Sequence, residues 1–397
     1  MTDLQDVNAW REQGIKPIFP TVRGPSDRRV SVNGVEDCIM LASCDYLGFS
    51  NEAAMKQAAI DAITTYGTNI CGSVAFSGMT ALHKELQDNL AALFGFEDAL
   101  VFTTSYLANL GTFSTLIGRD DLVLLDAMNH VSLFQAAQLT GAKIRTFPHL
   151  NYDVLERQLQ RKNTAGRAFI ATDGLFSADG DLADLKRLQA LAAQYDAVLI
   201  VDSAHDFGVL GPTGRGLAEH DGVLDKIDLI IGTMSKAMGS TGGFVVGRRE
   251  MIEKIRHFSG PYTSSRSFSP GVAGASLRAL QLSAELGAQR REKLHENISM
   301  LWNGCRALDL IVPRTPSPVL SVFVNDAAKT LQAARYLMDH QICVCPMVSP
   351  SVQQGRERLR LNVTSLLEPD DCQHVLATLA QMAETGLLPK TYASADA

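Results

Sequence analysis

Short runs of apolar residues alternate along this chain with longer stretches in which apolar positions recur at helical spacing. Between Glu97 and about Val246 the apolar runs are Ala99–Thr103, Leu122–Asp126, Lys143–Phe147, Ala168–Thr172, Val198–Asp202, Leu229–Gly232 and Gly243–Val246. Such runs, bounded by turn residues, read as strands buried on both faces. Helix-patterned segments such as Leu182–Tyr195 lie between several of them. Strand–helix alternation predicts an α/β architecture with a mostly parallel sheet, and ligands of such sheets bind beyond the carboxyl ends of the strands.

The pattern changes after about residue 285. Glu285–Leu308 reads as one long helix, Leu320–Asn325, Gln341–Cys345 and Arg358–Asn362 as strands, and Ala327–Asp339 and Asp370–Glu384 as helices. That is a smaller α+β unit. A helix-like start and a hairpin precede the large region. The hairpin pairs Arg29–Val32 with Asp37–Leu41 through Asn33-Gly34, a dipeptide that favours a tight turn. The expected organisation is an N-terminal segment 1–44 packing with the small domain, a large domain 45–285 and a small C-terminal α+β domain 286–397.

Bulk properties narrow the partners. With 46% hydrophobic and 20% charged residues in 397, the chain can bury a normal core without staples. The net charge of −7 is spread with no Lys/Arg block, so neither nucleic acid nor an anionic membrane is an expected partner. Met1–Trp10 is polar and acidic and does not read as a signal peptide. No stretch of about 18 apolar residues suggests a membrane span. The seven cysteines show no framework spacing, which fits reduced thiols and a cytoplasmic location. In one strand Gln341–Cys345, Cys343 and Cys345 would share a face, but without His or Cys neighbours they make a poor metal site, and no metal is expected.

Four segments carry candidate chemistry. In Gly232-Thr-Met-Ser-Lys236-Ala-Met-Gly239 an apolar strand runs into small and hydroxyl residues around one lysine. A Schiff-base lysine needs such a pocket, with its amine accessible; taken alone, a solvent-exposed loop lysine is the commoner reading. In Val198–His205, Asp202 ends a buried strand and His205 follows three residues later. A carboxylate there can keep the pyridine nitrogen of pyridoxal phosphate (PLP) protonated, and a nearby histidine can hydrogen-bond its phenolic oxygen. Equally, Asp202 could cap the next turn. Thr103-Thr-Ser105-Tyr106 leads from a strand into a helix, and the N–H groups of a helix start suit a phosphate; a plain cap at Ser105 is the alternative. His130, in Asp126-Ala-Met-Asn-His130, could stack on a ring, among many roles open to a lone histidine. The weight lies in the conjunction: these pieces follow one another in a single order on one alternating scaffold.

From Leu41 to about Glu368 the chain resembles the α-oxoamine synthases, fold-type I PLP-dependent acyltransferases. The resemblance rests on Asp173-Gly-Leu-Phe-Ser177-Ala-Asp-Gly-Asp181, on Val201-Asp-Ser-Ala-His205 with Gly208, Gly211 and Gly214-Arg-Gly216, and on Gly232–Lys236 followed by Gly242-Gly-Phe244. It implies a large domain built on a mostly parallel seven-stranded sheet, a smaller α+β C-terminal domain, and PLP as the cofactor. By position, Lys236 resembles the Schiff-base lysine and the base at Cα, Asp202 the partner of the pyridine nitrogen, and His205 and Ser177 the neighbours of the phenolic oxygen. His130 matches the stacking ring, and Ser105, Tyr106 and Thr233 match phosphate-binding positions. Ser265 matches a residue that reaches the phosphate from the other subunit, which implies a homodimer with shared sites. Arg360 resembles the arginine that binds the amino-acid carboxylate. The implied reaction condenses an amino acid with an acyl thioester, on CoA or a carrier protein, usually with loss of CO2.

The sequence also departs from the family. Cys44 stands where members have an Asn near the substrate carboxylate, and Val74 replaces an arginine of the glycine-rich turn. Ser105 replaces a common Gly. Asp202-Ser-Ala-His205 replaces Asp-Glu-Ala-His, and Asp206 stands where members have Ala, Gly or Ser. A conserved skeleton with an altered substrate shell implies a specialised member, in a sphingolipid-like, signalling-aminoketone or natural-product pathway. Two other readings stay open: another fold-type I enzyme such as an aminotransferase, and a non-catalytic accessory subunit.

Overall fold

The computed structural model describes residues 20–390, so the helix-like start expected before the hairpin lies outside the described residues. The chain forms two compact units. The larger comprises Glu52–Ser177 and Leu182–Ala288. The smaller comprises the described residues up to Asn51, the excursion Ala178–Asp181, and the chain from Gln289. The breaks thus fall after Asn51 and Ala288, not after residues 44 and 285.

Strands are numbered in chain order. β1 (Val22–Arg23), β2 (Arg29–Val32) and β3 (Val35–Met40) belong to the smaller unit. The larger unit holds β4 (Asp98–Phe102), β5 (Leu122–Asp126), β6 (Lys143–Phe147), β7 (Ala168–Asp173), β8 (Ala197–Asp202), β9 (Leu229–Thr233) and β10 (Gly243–Gly247). These form one seven-stranded sheet in the order β4-β10-β9-β8-β7-β5-β6, in which β10 alone pairs antiparallel, with β4 and β9. Most central residues of the sheet are fully buried, as helices on both faces require. Asp202 of β8 lies in register with Asp173 of β7 and Ile231 of β9, so these carboxyl ends finish at one level.

One long helix spans Pro270–Ala307 and starts fifteen residues before the expected Glu285. Gly271 and Gly274 mask its beginning, because glycine weakens a helical pattern. Both are there for close packing within the larger unit. A Cβ at Gly274 would lie 2.6 Å from the Ala58 carbonyl oxygen, and one at Gly271 2.9 Å from Ile63.

In the smaller unit, β2 and β3 pair antiparallel around Asn33 and Gly34, whose φ values of 52° and 83° are those of a tight hairpin turn. The expected strand Gln341–Cys345 is two strands. β12 (Ile342–Cys343) pairs with β3, while β13 (Cys345–Met347) pairs with β14 (Arg358–Asn362), which in turn pairs with β11 (Val319–Phe323). Cys343 and Cys345 therefore belong to different sheets and do not share a face. Arg358 is fully buried in β14, and burial lowers its pKa to about 10. Its guanidinium pairs with Asp179, donates to the Ala178 carbonyl at 3.3 Å and lies 4.5 Å from the Phe323 ring centre. These contacts hold the excursion Ala178–Asp181 to the smaller unit's sheet.

Candidate active site

Five strand ends of the larger unit supply most of the candidate residues. β4 leads into the helix Ser105–Leu116. Its cap is Thr104, not Ser105: the Thr104 hydroxyl accepts the Leu107 N–H at 3.1 Å. The N–H groups of Ser105 and Tyr106 thus remain at the open end of a twelve-residue helix, where an anion is stabilised. Gly243 of β10 presses against this turn, and a Cβ there would lie 2.3 Å from the Ser105 nitrogen. The glycine keeps the cradle open. The Tyr106 hydroxyl is bonded to Gln135, and its ring meets His130 edge-on at 6.3 Å.

β5 ends at Asp126, and His130 caps the next helix, Val131–Thr140. The His130 ring is exposed but oriented: Nδ1 lies 2.7 Å from the Ser132 hydroxyl, and its backbone N–H donates to Asp173 Oδ2 at 3.1 Å. The side chain of the preceding Asn129 is buried between strands, donating to the Ala171 carbonyl at 2.8 Å and accepting the Asp173 N–H at 3.1 Å.

β8 delivers Asp202, which is buried. Its carboxylate accepts the Asn109 amide at 2.8 Å and the Ala204 N–H at 3.0 Å. Asn109 also donates to the Ser132 hydroxyl at 2.8 Å, so one buried amide ties the helix from Ser105 to both the Asp202 and His130 segments. His205, also buried, follows on the same turn. At the end of β7, Asp173 is enclosed. Burial first, and then the neighbouring Asp202, push its carboxyl well above the usual range, while the His130 N–H and the Lys236 ammonium pull it back.

Lys236 is half-buried in the turn after β9. The Thr233 hydroxyl donates to the Gly242 carbonyl at 2.9 Å and accepts the Ser235 N–H at 3.2 Å. Its proton is therefore committed to its own loop, and the exposed Ser235 hydroxyl, 2.7 Å away, is the outer member of the pair. Ser177 is half-buried in the loop pinched by the Leu175–Leu182 bridge. Val74 and Ser265 meet directly, the Val74 N–H donating to the Ser265 carbonyl at 3.4 Å beside a Ser73–Arg266 bridge.

The two remaining candidates, Arg360 and Cys44, stand together in the smaller unit. Burial opposes the Arg360 charge, yet Cys345, Cys44 and the buried Tyr46 hold the guanidinium above its ordinary value. Its Nη2 lies 3.9 Å from Cys345 Sγ. The sequence alone assigns no role to Asn109 or Asp173, which the fold brings to this site. The available signals were the spacing of Asn109, four residues or one helical turn beyond Ser105, and the end of Asp173's strand level with Asp202.

A helix N-terminus, a glycine-opened cradle beside it, a fixed buried carboxylate and a half-buried lysine on one sheet edge fit a flat phosphorylated aldehyde such as PLP. The chain belongs to the aminotransferase class I and II family, whose model matches residues 36–379, and its fold is that of fold-type I PLP-dependent transferases. It is 34% identical to an 8-amino-7-oxononanoate synthase of Citrifermentans bemidjiense, over 96% of this chain and 98% of that one. It is 33% identical to a serine palmitoyltransferase of Sphingobacterium spiritivorum, over 90% and 89%. A lysine-to-alanine variant of S. paucimobilis serine palmitoyltransferase with a bound PLP–myriocin aldimine superposes with a TM-score of 0.91 at 28% identity, covering 97% of this chain and 99% of that one. Within the broad family, the chain is an α-oxoamine synthase, a PLP-dependent acyltransferase that condenses an amino acid with an acyl thioester. Among the described residues, no helix is long and apolar enough to cross a membrane.

Proposed function

We propose that this chain is a catalytically complete, specialised α-oxoamine synthase that joins an amino acid to an acyl group from CoA or a carrier protein and releases CO2. The observation that carries this reading is the placement of Lys236 and the hydrogen-bonded Asp202 at the carboxyl ends of two adjacent strands. An accessory subunit would not need that pair.

When bound, PLP draws electron density from Cα of the amino acid. Lys236 would hold it through Nζ, and Asp202 would face its ring nitrogen. His205 and Ser177 would face the phenolic oxygen, and His130 the ring face. The helix start at Ser105 and Tyr106, with the Ser235 hydroxyl held by Thr233, would take the phosphate, and Ser265 would reach a phosphate across a homodimer. Freed when the amino acid takes its place on the cofactor, the Lys236 amine would be the base for the Cα proton, and Cα would bond the acyl carbon as the C–S bond breaks and the thiol leaves. Arg360 fixes the substrate carboxylate by a bidentate contact that prepays orientation. Cys44 and Val74 replace polar residues of the family pattern, which supports substrates other than those of the housekeeping members. A cytoplasmic location completes the proposal.

The test is a visible-absorbance titration of the purified protein with a panel of amino acids, then acyl thioesters. A cofactor band shifted saturably by one amino acid, and again by a thioester, is expected. A chain with no band after PLP addition would be an accessory subunit, and turnover of a ketoacid without thioester would make it an aminotransferase. Arg360→Lys is expected to raise KM for the amino acid by about 30-fold and move kcat less, since a lost charge-assisted bond is worth about 2 kcal/mol. Equal loss in both constants would remove Arg360 from the carboxylate.

A further inference from the structure

The turn that carries Asp202 and His205 also carries Asp206, which the proposed chemistry does not use. Asp206 is completely buried. Its Oδ2 would lie 2.0 Å from a Cβ at Gly174, and its Oδ1 2.8 Å from one at Gly216, so both glycines are needed to seat this carboxyl. Neither oxygen makes a well-formed hydrogen bond, although the Ser203 hydroxyl and the Leu217 N–H face it. The backbone around it is firm: Phe207 N–H donates to the Ser203 carbonyl, and Val209 and Leu210 N–H both donate to the Asp206 carbonyl, each at 3.0 Å.

A buried carboxyl that needs two glycines to fit, with no cation against it among the described residues, is costly where an alanine would pack. Ionisable groups of the packed elements are Asp173 on β7, Asp202 on β8, and Glu219 and His220 of the short helix Leu217–His220. Glu219 is occupied by Thr213 and Arg215. Asp202 is the charge that acts on Asp206, and it repels a second negative charge.

We propose that Asp206 is a positioning residue that locks the Asp202–His205 turn from behind by remaining a neutral acid, leaving Asp202 the single charge of the turn. The proposal rests on the reading of Asp202 as the cofactor's partner and adds a pH limit to it. Burial, opposed by Ser203 and Leu217 and reinforced by Asp202, raises the Asp206 carboxyl to about 7. Below that pH the acid is neutral and the turn is tight. Above it an anion forms with no cation facing it, so the turn must relax to admit water, and Asp202 and His205 lose their aim.

The experiment compares the PLP-loaded wild type with Asp206→Asn, which keeps the shape but cannot ionise, and with Asp206→Ser as a second variant should the first fail to fold. Infrared spectra are expected to show a protonated-carboxyl band in the wild type at pH 6 that vanishes by pH 8.5 and is missing from the variant at both. The ratio of wild-type to variant kcat/KM is expected to fall about thirtyfold between pH 6 and 8.5, since about 3% of Asp206 keeps its proton at the higher pH. A ratio that does not change with pH, or a wild type without the variant-sensitive band, overturns the proposal. A wild type with no cofactor band at any pH strikes the proposed function instead, and the infrared band still decides whether Asp206 holds its proton.

Discussion

Lys236→Ala is expected to lower turnover by about 10⁴-fold, the upper range for removing a positioned base, while the protein stays folded. The argument is local. Lys236 follows β9 in a turn whose Met234 N–H donates to the Gly242 carbonyl and whose Gly239 N–H donates to the Lys236 carbonyl, at 2.9 and 2.8 Å. These bonds are all backbone and survive loss of the side chain. A half-buried lysine contributes little to the core, so thermal unfolding is expected to move by only a degree or two. Borohydride followed by peptide mapping should place reduced cofactor on Lys236 in the wild type and nowhere in the variant. A trapped adduct on another lysine, or a variant within tenfold of wild type, would remove Lys236 from the chemistry. Added methylamine is expected to restore part of the lost rate if the missing group is a base, and none if it is structural.

Most of the larger sheet could be read from sequence because its strands are buried on both faces. Leu122–Asp126 and Lys143–Phe147 match their expected limits, and the other strands of this sheet differ by a residue or so. The failures share a cause: short-range pattern cannot report what packs across the fold. Gly271 and Gly274 look like helix breakers, yet they are the residues that let the Pro270–Ala307 helix touch the helix Ala53–Tyr66. The apolar run through Cys343 and Cys345 looks continuous, yet it changes sheets at Val344, because β3 and β14 each claim one side.

The site divides in the same way. The residues proposed to touch the cofactor, Lys236, Asp202, His205, His130, Ser105 and Tyr106, stand at strand ends or helix starts, positions that the sequence pattern and the family resemblance point to. The residues that hold them could not be read this way. Asn109 bonds Asp202 across 93 positions of chain, and Asn129 bonds Asp173 across 44. Neither distance leaves a periodic trace. Asp206 could be seen as a departure from the family pattern, but its place against Gly174 and Gly216 only emerges from the fold.

Asp202→Asn is expected to reduce kcat by about 10³-fold while borohydride still traps cofactor on Lys236. Removing one partner of a buried charge pair costs about 3–5 kcal/mol, and each 1.4 kcal/mol or so is tenfold in rate. The substitution preserves volume and keeps one of the two acceptors: a carbonyl in place of Oδ1 still takes the Ala204 N–H, while the NH2 in place of Oδ2 no longer accepts from the Asn109 amide, whose bond to the Ser132 hydroxyl can persist. What disappears is the negative charge proposed to face the ring nitrogen. With it goes the largest charge that pushes Asp173 upward, so the Asp173 carboxyl, still raised by burial, is expected to shift down in the variant. That change offers a readout that a folding defect would not give: Asp173, no longer repelled, should lose its proton at lower pH in Asp202→Asn than in wild type. If kcat falls with no movement of Asp173, Asp202 acts through packing alone. If both move while trapping on Lys236 is retained, the loss is one of charge, as the pairing of β7 with β8 implies.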